Sequence, residues 1–542
     1  MEKKLLLGDE AIAQAAIDAG ISGIYAYPGT PSTEIMEYVL TSRDAQKKMI
    51  RSGWAANEKT AMEAALGMSY AGKRSIVCMK HVGLNVAADP FINAAITGAN
   101  GGLIVVVADD PSMHSSQNEQ DSRFFGKFAM IPMLEPANQQ EAYDMIWTGF
   151  EMSEKYGMPV LLRITTRLAH SRSGVVRKEP REQNELSLPK TANQFILLPA
   201  NARKRFKLLL ASQDAFLDES ETSPFNQFLE GKDKSLGIIA TGIAYNYLLE
   251  NYPDRIIPYP VLKIGQFPLP KKMVSDLYNT CDELLVLEDG YPFAEESISS
   301  FFGLGKKIKG RLDGTIPRDG EINPNKVGKA LGIKQPVTRS VPELVVARPP
   351  KLCAGCPHIY SYNALNEALD SYTKGRVFSD IGCYTLGALE PFEAINSCVD
   401  MGASITMAKG AADAGFTPAV AVIGDSTFTH SGITGLLDAV NDKAPITVVI
   451  LDNATVAMTG GQQSSATGKI EAICEAVGVE KEHIIVLNPS PKYHETNMEI
   501  FRKEIGYNGV SVIIPRRECL HTVARRKKEE KKTRDTQPVG IQ

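Results

Sequence analysis

Two short segments hold the residues best suited to do chemistry, Gly424-Asp425-Ser426 and Leu451-Asp452-Asn453-Ala454-Thr455. The apolar run Ala419–Ile423 reads as a buried parallel strand ending at Gly424, where a missing side chain lets a diphosphate approach the backbone. Asp425 then offers an anionic oxygen at the strand's C-terminal edge. Twenty-eight positions on, after a helical stretch near Gly435–Asn441, a second apolar strand, Ile446–Leu451, brings Asn453 and the Thr455 carbonyl to the same edge. Adjacent parallel strands converge these oxygens on one ion. Magnesium takes few protein oxygens plus substrate phosphates in an octahedral shell, which one carboxylate, one amide and one carbonyl suit. Gly424 and Ser426 then line the diphosphate, and Met458-Thr459-Gly460-Gly461-Gln462 follows as further cofactor-binding chain. Taken alone, Gly-Asp-Ser is also an ordinary strand-to-turn signal.

The Gly-Asp pair with its downstream Asn resembles the thiamine diphosphate (TPP) motif. TPP must be activated at its aminopyrimidine, which takes a carboxyl group hydrogen-bonded to the ring N1′ in an apolar pocket. Glu58 is the candidate, in Trp54-Ala55-Ala56-Asn57-Glu58-Lys59-Thr60-Ala61. Asn57 caps a helix running through Ala65 and Gly67 and leaves Glu58 in its first turn. A glutamate at a helix start is also a common dipole-stabilising surface residue.

The elements that must position these groups are those of a large α/β chain. At 542 residues it exceeds one hydrophobic core and divides into roughly three domains of ~100–200 residues. Residues 1–185 alternate strands and helices: Lys4–Leu7 strand, Asp9–Ala19 helix, Gly23–Tyr27 strand, Ser32–Leu40 helix, and onward through Leu103–Val107 and Val160–Ile164. That alternation implies a doubly wound parallel sheet. A polar stretch at 186–235, with a charged helical passage over Asn201–Leu217, reads as a linker. A smaller α/β unit at 236–340 has strands at Leu236–Ala240, Ile256–Tyr259 and Glu283–Leu287. The last unit, 341–524, opens near Arg348-Pro349-Pro350 and has strands at Val377–Ser379, Ala419–Ile423, Ile446–Leu451 and Val510–Ile514. The tail 525–542, with Arg526-Lys527-Lys528-Glu529-Glu530-Lys531-Lys532, lacks apolar periodicity and reads as a solvated, partly disordered end.

Hydrophobic residues make up 43% and charged residues 23%, which favours neither a disordered nor a fibrous class. A net charge of −4 argues against a general nucleic-acid binder. No apolar run approaches the ~18 residues of a membrane span, and the N-terminus leads straight into a strand, so the cytoplasm is the expected compartment. Eight cysteines in so long a chain do not make a disulfide scaffold; their local spacing suits metal binding or free thiols.

Further segments resemble one family closely. Tyr27-Pro28-Gly29-Thr30-Pro31-Ser32-Thr33 is similar to a signature of the 2-oxoacid:ferredoxin oxidoreductases. Lys80-His81-Val82-Gly83-Leu84-Asn85, Ala108-Asp109-Asp110-Pro111-Ser112, Cys353-Ala354-Gly355-Cys356-Pro357-His358, Asp380-Ile381-Gly382-Cys383-Tyr384 and Met401-Gly402-Ala403-Ser404 look like the large, alpha-type subunits of its indolepyruvate branch. The resemblance spans residues 5–520. It implies three doubly wound units: a pyrimidine-type module (1–185) and a diphosphate-type module (341–524), flanking a smaller transketolase C-terminal-like domain (236–340). In such proteins the two modules build the site at their mutual interface, usually across a dimer axis.

The implied reaction is oxidative decarboxylation of an arylpyruvate to an aryl-acetyl-CoA with electrons passed to ferredoxin, in amino-acid degradation. Thr30 would face substrate or cofactor. His81 follows a strand and faces the cofactor or serves the structure, and His114 is a substrate or proton-transfer group or a loop cap. One-electron oxidation calls for an iron–sulfur acceptor. Cys353, Cys356 and Cys383 resemble three ligands of a single [4Fe–4S] cluster, with Cys519 placed like the fourth and Cys398 and Cys474 as alternatives. No cysteine follows Cys519, so the terminal ferredoxin-like domain usual in the family is expected to be absent. The implied partners are a smaller beta subunit carrying a gamma-type domain, ferredoxin and CoA, in a dimer of heterodimers. A non-oxidative TPP-dependent 2-oxoacid decarboxylase is the competing reading.

Overall fold

A computed structural model describes residues 2–303, 305–335, 340–346 and 349–536. The chain divides into two compact units, Met1–Arg339 and Ser340–Gln542. In the first, the strands are β1 (Lys3–Leu7), β2 (Gly23–Ala26), β3 (Arg51–Trp54), β4 (Ser75–Lys80), β5 (Leu103–Asp109), β6 (Met133–Leu134), β7 (Val160–Thr165), β8 (Arg172–Val176), β9 (Gln227–Leu229), β10 (Leu236–Thr241), β11 (Val261–Ile264), β12 (Gln266–Phe267), β13 (Glu283–Leu287) and β14 (Ile308–Lys309).

Seven of them form one sheet in the order β12-β6-β7-β5-β4-β2-β3, parallel except for the short β12 edge. β4 and β5 lie near its centre with both faces covered, and Ile76–Met79 and Leu103–Val107 have no exposed surface. That burial is why these strands read as continuous apolar runs instead of alternating. A five-stranded sheet, β14-β13-β10-β11-β9, belongs to the same compact unit, and β12 passes from that part of the chain to the edge of the larger sheet.

Four expectations need correcting. β1 does not enter the main sheet; it pairs antiparallel with β8 as a separate two-stranded ribbon. Residues 256–259 form no strand, and β11 begins at Val261, because Pro258 and Pro260 have no N–H to give a ladder. The stretch 186–235 is folded over much of its length. It carries helices Pro199–Ala211 and Gln213–Glu221, and one residue of each, Leu209 and Phe216, buries itself against Met158. The charged tail enters a helix, Leu520–Thr536, whose Lys, Arg, Ala and Glu are good helix formers and whose Arg526 and Glu530 lie 3.9 Å apart. Residues 537–542 of that tail, and Arg348, lie outside the described residues.

The second unit has β15 (Val377–Ser379), β16 (Ser397–Cys398), β17 (Ala419–Gly424), β18 (Ile446–Leu451), β19 (Thr455–Val456), β20 (Gln462–Gln463), β21 (Ile484–Leu487) and β22 (Ser511–Pro515). Six form an all-parallel sheet, β16-β15-β17-β18-β22-β21. In the β17–β18 register Gly424 stands opposite Leu451, so Asp425 and Asp452 leave the sheet side by side. No described helix is long and apolar enough to cross a membrane.

Candidate active site

In the first unit the Glu58–Tyr70 helix is capped as expected: the Asn57 side chain accepts the Thr60 N–H at 2.9 Å. Glu58, its first residue, is only 4% exposed, so it is not a surface dipole residue. Its carboxyl group lies over Gly83, where an added Cβ would meet Glu58 Oε1 at 2.6 Å. The glycine of Lys80-His81-Val82-Gly83 is therefore required by the glutamate.

Lys80 ends β4 at the same place. Its stem fills the space a Gly29 Cβ would contact at 3.3 Å, and its ammonium donates to the Ser115 carbonyl at 2.9 Å. Burial lowers the Lys80 ammonium to about 8, against the opposing pull of the Asp110 and Glu58 carboxylates. A lysine held there can exchange a proton near neutral pH. The Lys80 motif does not by itself reveal this role, which depends on the loops that converge around the side chain. Thr30, half-buried, accepts the Ser115 hydroxyl on its carbonyl at 3.4 Å. Asp110 secures the 110–116 loop by accepting from Ser115 N–H, Ser116 Oγ and Thr166 Oγ1 at 2.7–2.8 Å.

His81 is 1% exposed. Its Nε2 donates to the Asn118 carbonyl at 3.1 Å, and Nδ1 is buried without a hydrogen-bond partner. His114 is placed differently: its side chain is 41% exposed and its Nε2 lies 3.2 Å from Glu321, whose carboxylate pairs with Arg167. Beneath these loops lies a fully buried charge network. Arg163 binds Asp109 at 2.6 Å, Glu135 at 2.5 Å and the Asp289 carbonyl at 2.7 Å, and Arg123 binds Asp121 and Glu288. It anchors the C-terminal ends of β5 and β7 to the loop after β13.

In the second unit Asp425 is 2% exposed. Its Oδ1 accepts the Ser426 N–H at 2.7 Å, while Oδ2 is buried with no hydrogen-bond partner. Burial, with the Asp452 carboxylate beside it, pushes the Asp425 carboxyl up to about 7. A buried carboxylate oxygen that nothing satisfies fits a cation ligand. Asn453, on the neighbouring loop, is 7% exposed; its Oδ1 accepts the Thr455 N–H at 3.1 Å and keeps a second lone pair. Ala454 holds φ +60° between them, and the buried Thr455 donates its hydroxyl to the Gln462 carbonyl at 3.0 Å. This donor set, a carboxylate with an amide, suits magnesium and a diphosphate.

Two details differ from the sequence reading. A Cβ at Gly424 would strike the Tyr384 ring at 2.4 Å, so the glycine answers to Tyr384 as well as to any diphosphate. Met458 is 61% exposed, on the turn joining β19 to β20.

The cysteines converge. Cys353, Cys356, Cys383 and Cys519 all line one cavity of about 240 Å³, together with His358, Asn453 and His521. The Cys356 N–H closes a turn onto the Cys353 carbonyl at 2.9 Å through Gly355 at φ +77°, and Pro357 opens the following helix. Cys383 opens a 3₁₀ turn after β15, and the Cys519 N–H donates to the Asn453 carbonyl at 3.2 Å. Burial, reinforced by the other three thiols, pushes Cys383 up to about 12. Such thiols ionise only against a strong positive centre.

A single tetrahedral zinc would draw its sulfurs to about 3.8 Å from one another. Among the described residues no cysteine belongs to a group of three ligand atoms within 4.8 Å, a spacing wider than one ion needs. Of the alternatives, Cys474 is buried in the apolar core, and Cys398, on β16, points its sulfur at the Asp380 carbonyl, 3.7 Å away. His358, missed as a functional residue although its motif was evident, joins the two features. It is 3% exposed, burial lowers its imidazole to about 4, and its neutral Nε2 accepts from Asn453 Nδ2 at 3.4 Å.

A parallel sheet with a buried carboxylate and amide on adjacent strand ends, beside a four-thiol cavity, defines a cofactor-dependent oxidoreductase of the TPP class. Residues 380–513 match the family model "Thiamine pyrophosphate enzyme, C-terminal TPP binding domain", and residues 14–205 match "Pyruvate flavodoxin/ferredoxin oxidoreductase, thiamine diP-bdg". Indolepyruvate oxidoreductase subunit IorA of Archaeoglobus fulgidus is 40% identical over 98% of this chain and 89% of that protein, and the IorA subunit of Pyrococcus abyssi is 37% identical over 96% and 86%. The chain belongs to the indolepyruvate oxidoreductase IorA subunit family. A solved 2-oxoglutarate:ferredoxin oxidoreductase from Magnetococcus marinus, 19% identical over 61% of this chain and 65% of that one with a TM-score of 0.49, is too loose a likeness to add to the assignment.

Proposed function

We propose that this chain is the catalytic subunit of an enzyme that oxidatively decarboxylates arylpyruvates of the indolepyruvate type to aryl-acetyl-CoA, with electrons passed to ferredoxin. The balanced reaction takes one 2-oxoacid, CoA and two oxidised ferredoxins to acyl-CoA, carbon dioxide, two reduced ferredoxins and a proton. Residues 1–185 and 341–524 serve as the pyrimidine-type and diphosphate-type modules. Thiamine diphosphate, when bound, supplies the carbon that attacks the 2-oxo group and the electron sink for decarboxylation.

The chain's own groups do the rest. Asp425 and Asn453, with the Thr455 carbonyl, would hold a magnesium ion for the diphosphate, and Gly424 and Ser426 would border the site. Glu58, only 4% exposed, would hydrogen-bond the aminopyrimidine N1′ with its carboxyl group in a setting from which water is largely excluded. Lys80 holds the Thr30 loop and keeps a proton available beside Glu58. Cys353, Cys356, Cys383 and Cys519 would hold one [4Fe–4S] centre, which would supply one-electron transfer. The family's naming as a subunit supports a smaller partner subunit; a dimer of heterodimers is the proposed assembly.

The observation that carries the oxidative reading over a simple lyase is the four-cysteine cavity bordered by Asn453. Iron and acid-labile sulfide are therefore measured on anaerobically purified protein. About four irons per chain are expected, with loss of the broad visible absorption but not of TPP binding in Cys353→Ser. Iron-free protein that releases aryl acetaldehydes would overturn the proposal in favour of the lyase.

A further inference from the structure

A second cluster, apart from all of the groups above, lies in the first unit. Asp9 is the second residue of the Gly8–Asp18 helix and is 0% exposed, yet neither of its carboxylate oxygens has a hydrogen-bond partner. Glu34, in the first turn of the Thr33–Thr41 helix, and His170, at the end of the Thr166–His170 helix, face it. One ligand atom from each of the three lies within 4.8 Å of the other two, and His170 Nε2 is 3.5 Å from Glu34 Oε2. The neighbouring Glu10 is engaged elsewhere, accepting the Leu7 N–H at 2.8 Å.

Burial raises the Asp9 carboxyl well above its ordinary value, and the Glu34 and Glu10 carboxylates raise it further. A packed interior does not leave a carboxylate with neither donor nor cation. The Glu34 and His170 side chains are 36% and 35% exposed, so the cluster is dry at Asp9 and open to solvent on the opposite side. Two carboxylates carry the charge that a dication cancels; the Glu34 hydrogen bond raises the His170 imidazole, so an ion displaces its proton on binding, and the imidazole selects a first-row transition ion over magnesium or calcium.

We propose that Asp9, Glu34 and His170 form a binding site for one divalent transition-metal ion of zinc or manganese type, with water completing the shell on the exposed side. The ion staples the Thr166–His170 helix to two helices near the N-terminus. One of them, Thr33–Thr41, starts directly after the Tyr27–Ser32 turn, so the staple fixes the segment that carries Thr30. The site stands independently of the function proposed above.

The test uses the full-length protein, stripped with chelator and dialysed, with Zn²⁺ and Mn²⁺ added separately. Bound equivalents are measured by elemental analysis and affinity by calorimetry. Wild type is compared with His170→Ala and Glu34→Gln, whose exposed side chains make misfolding a minor risk, so that binding at the cysteines and at Asp425 cancels. The expected result is the loss of one equivalent, or a fall of at least about tenfold in its affinity, in both variants. Asp9→Asn should show the same loss. Equal stoichiometry and affinity in wild type and His170→Ala would overturn the proposal and leave a protonated Asp9 in its place.

Discussion

Replacing Gly83 with alanine isolates the placement of Glu58 from its presence. The new methyl group would stand 2.6 Å from Glu58 Oε1, 2.7 Å from its Cγ and 2.9 Å from its Cδ. Relaxing these to an ordinary contact of about 3.5 Å requires a displacement of about 1 Å. The obstacle is the end of a flexible side chain, so the carboxyl group moves and the backbone stays. Gly83 lies within the His81–Val86 helix, where alanine is favoured by up to about 1 kcal/mol, so the melting temperature should hold or rise slightly. A 1 Å error in a reacting group costs about 100-fold in rate. Hydrogen–deuterium exchange at the C2 position of bound TPP, followed by NMR, should fall by that factor in Gly83→Ala and by more in Glu58→Gln, with TPP affinity nearly unchanged. Wild-type exchange in Gly83→Ala would refute the assignment of Glu58 as the activating acid.

Asp425→Asn should abolish the magnesium-dependent stabilisation that TPP confers, about 2.7 kcal/mol at a hundredfold excess over Kd, while leaving the apo protein as stable or more so, because Oδ2 makes no bond to lose. Thermal shift with and without magnesium reads both effects. Asp380 accepts from Ser404 and Tyr384, and burial pushes it up to about 7. The folded state therefore keeps a proton that the unfolded chain sheds above about pH 4, and stability declines as pH rises from about 4 to 7; Asp380→Asn should flatten that part of a urea midpoint-versus-pH curve, and an unchanged slope would count against it. Arg163→Met strands Asp109 and Glu135 in the interior and should cost about 3–5 kcal/mol by urea denaturation; a loss under 1 kcal/mol would mean that water reaches the network.

The parts of the fold governed by local patterning were legible in the sequence. The apolar runs became β5, β7, β17 and β18 nearly residue for residue, and Asn57 capped its helix as the side-chain chemistry required. Elements whose fate depends on a distant partner were not. Lys4–Leu7 has a strand's composition, but only the position of Arg172–Val176 determines that it pairs outside the main sheet. Leu209 and Phe216 mark the supposed linker as folded only once Met158 is there to cover them. In the proposed site, Asp425, Asn453 and Glu58 are expectations from type and spacing, and the fold buries all three. Lys80 and His358 could not, because a lysine near pH 8 and a neutral histidine under an asparagine arise from burial among loops far apart in sequence. His114 illustrates the converse: a plausible catalytic type that the fold commits to Glu321 at the surface.

The central claim is tested most directly by anaerobic turnover of indolepyruvate with the assembled complex, CoA and ferredoxin, counting products. The account predicts aryl-acetyl-CoA and carbon dioxide in equal amounts, with an electron pair delivered to ferredoxin per 2-oxoacid consumed. Aryl acetaldehyde as the main product, with no CoA requirement and no reduced ferredoxin, would contradict it.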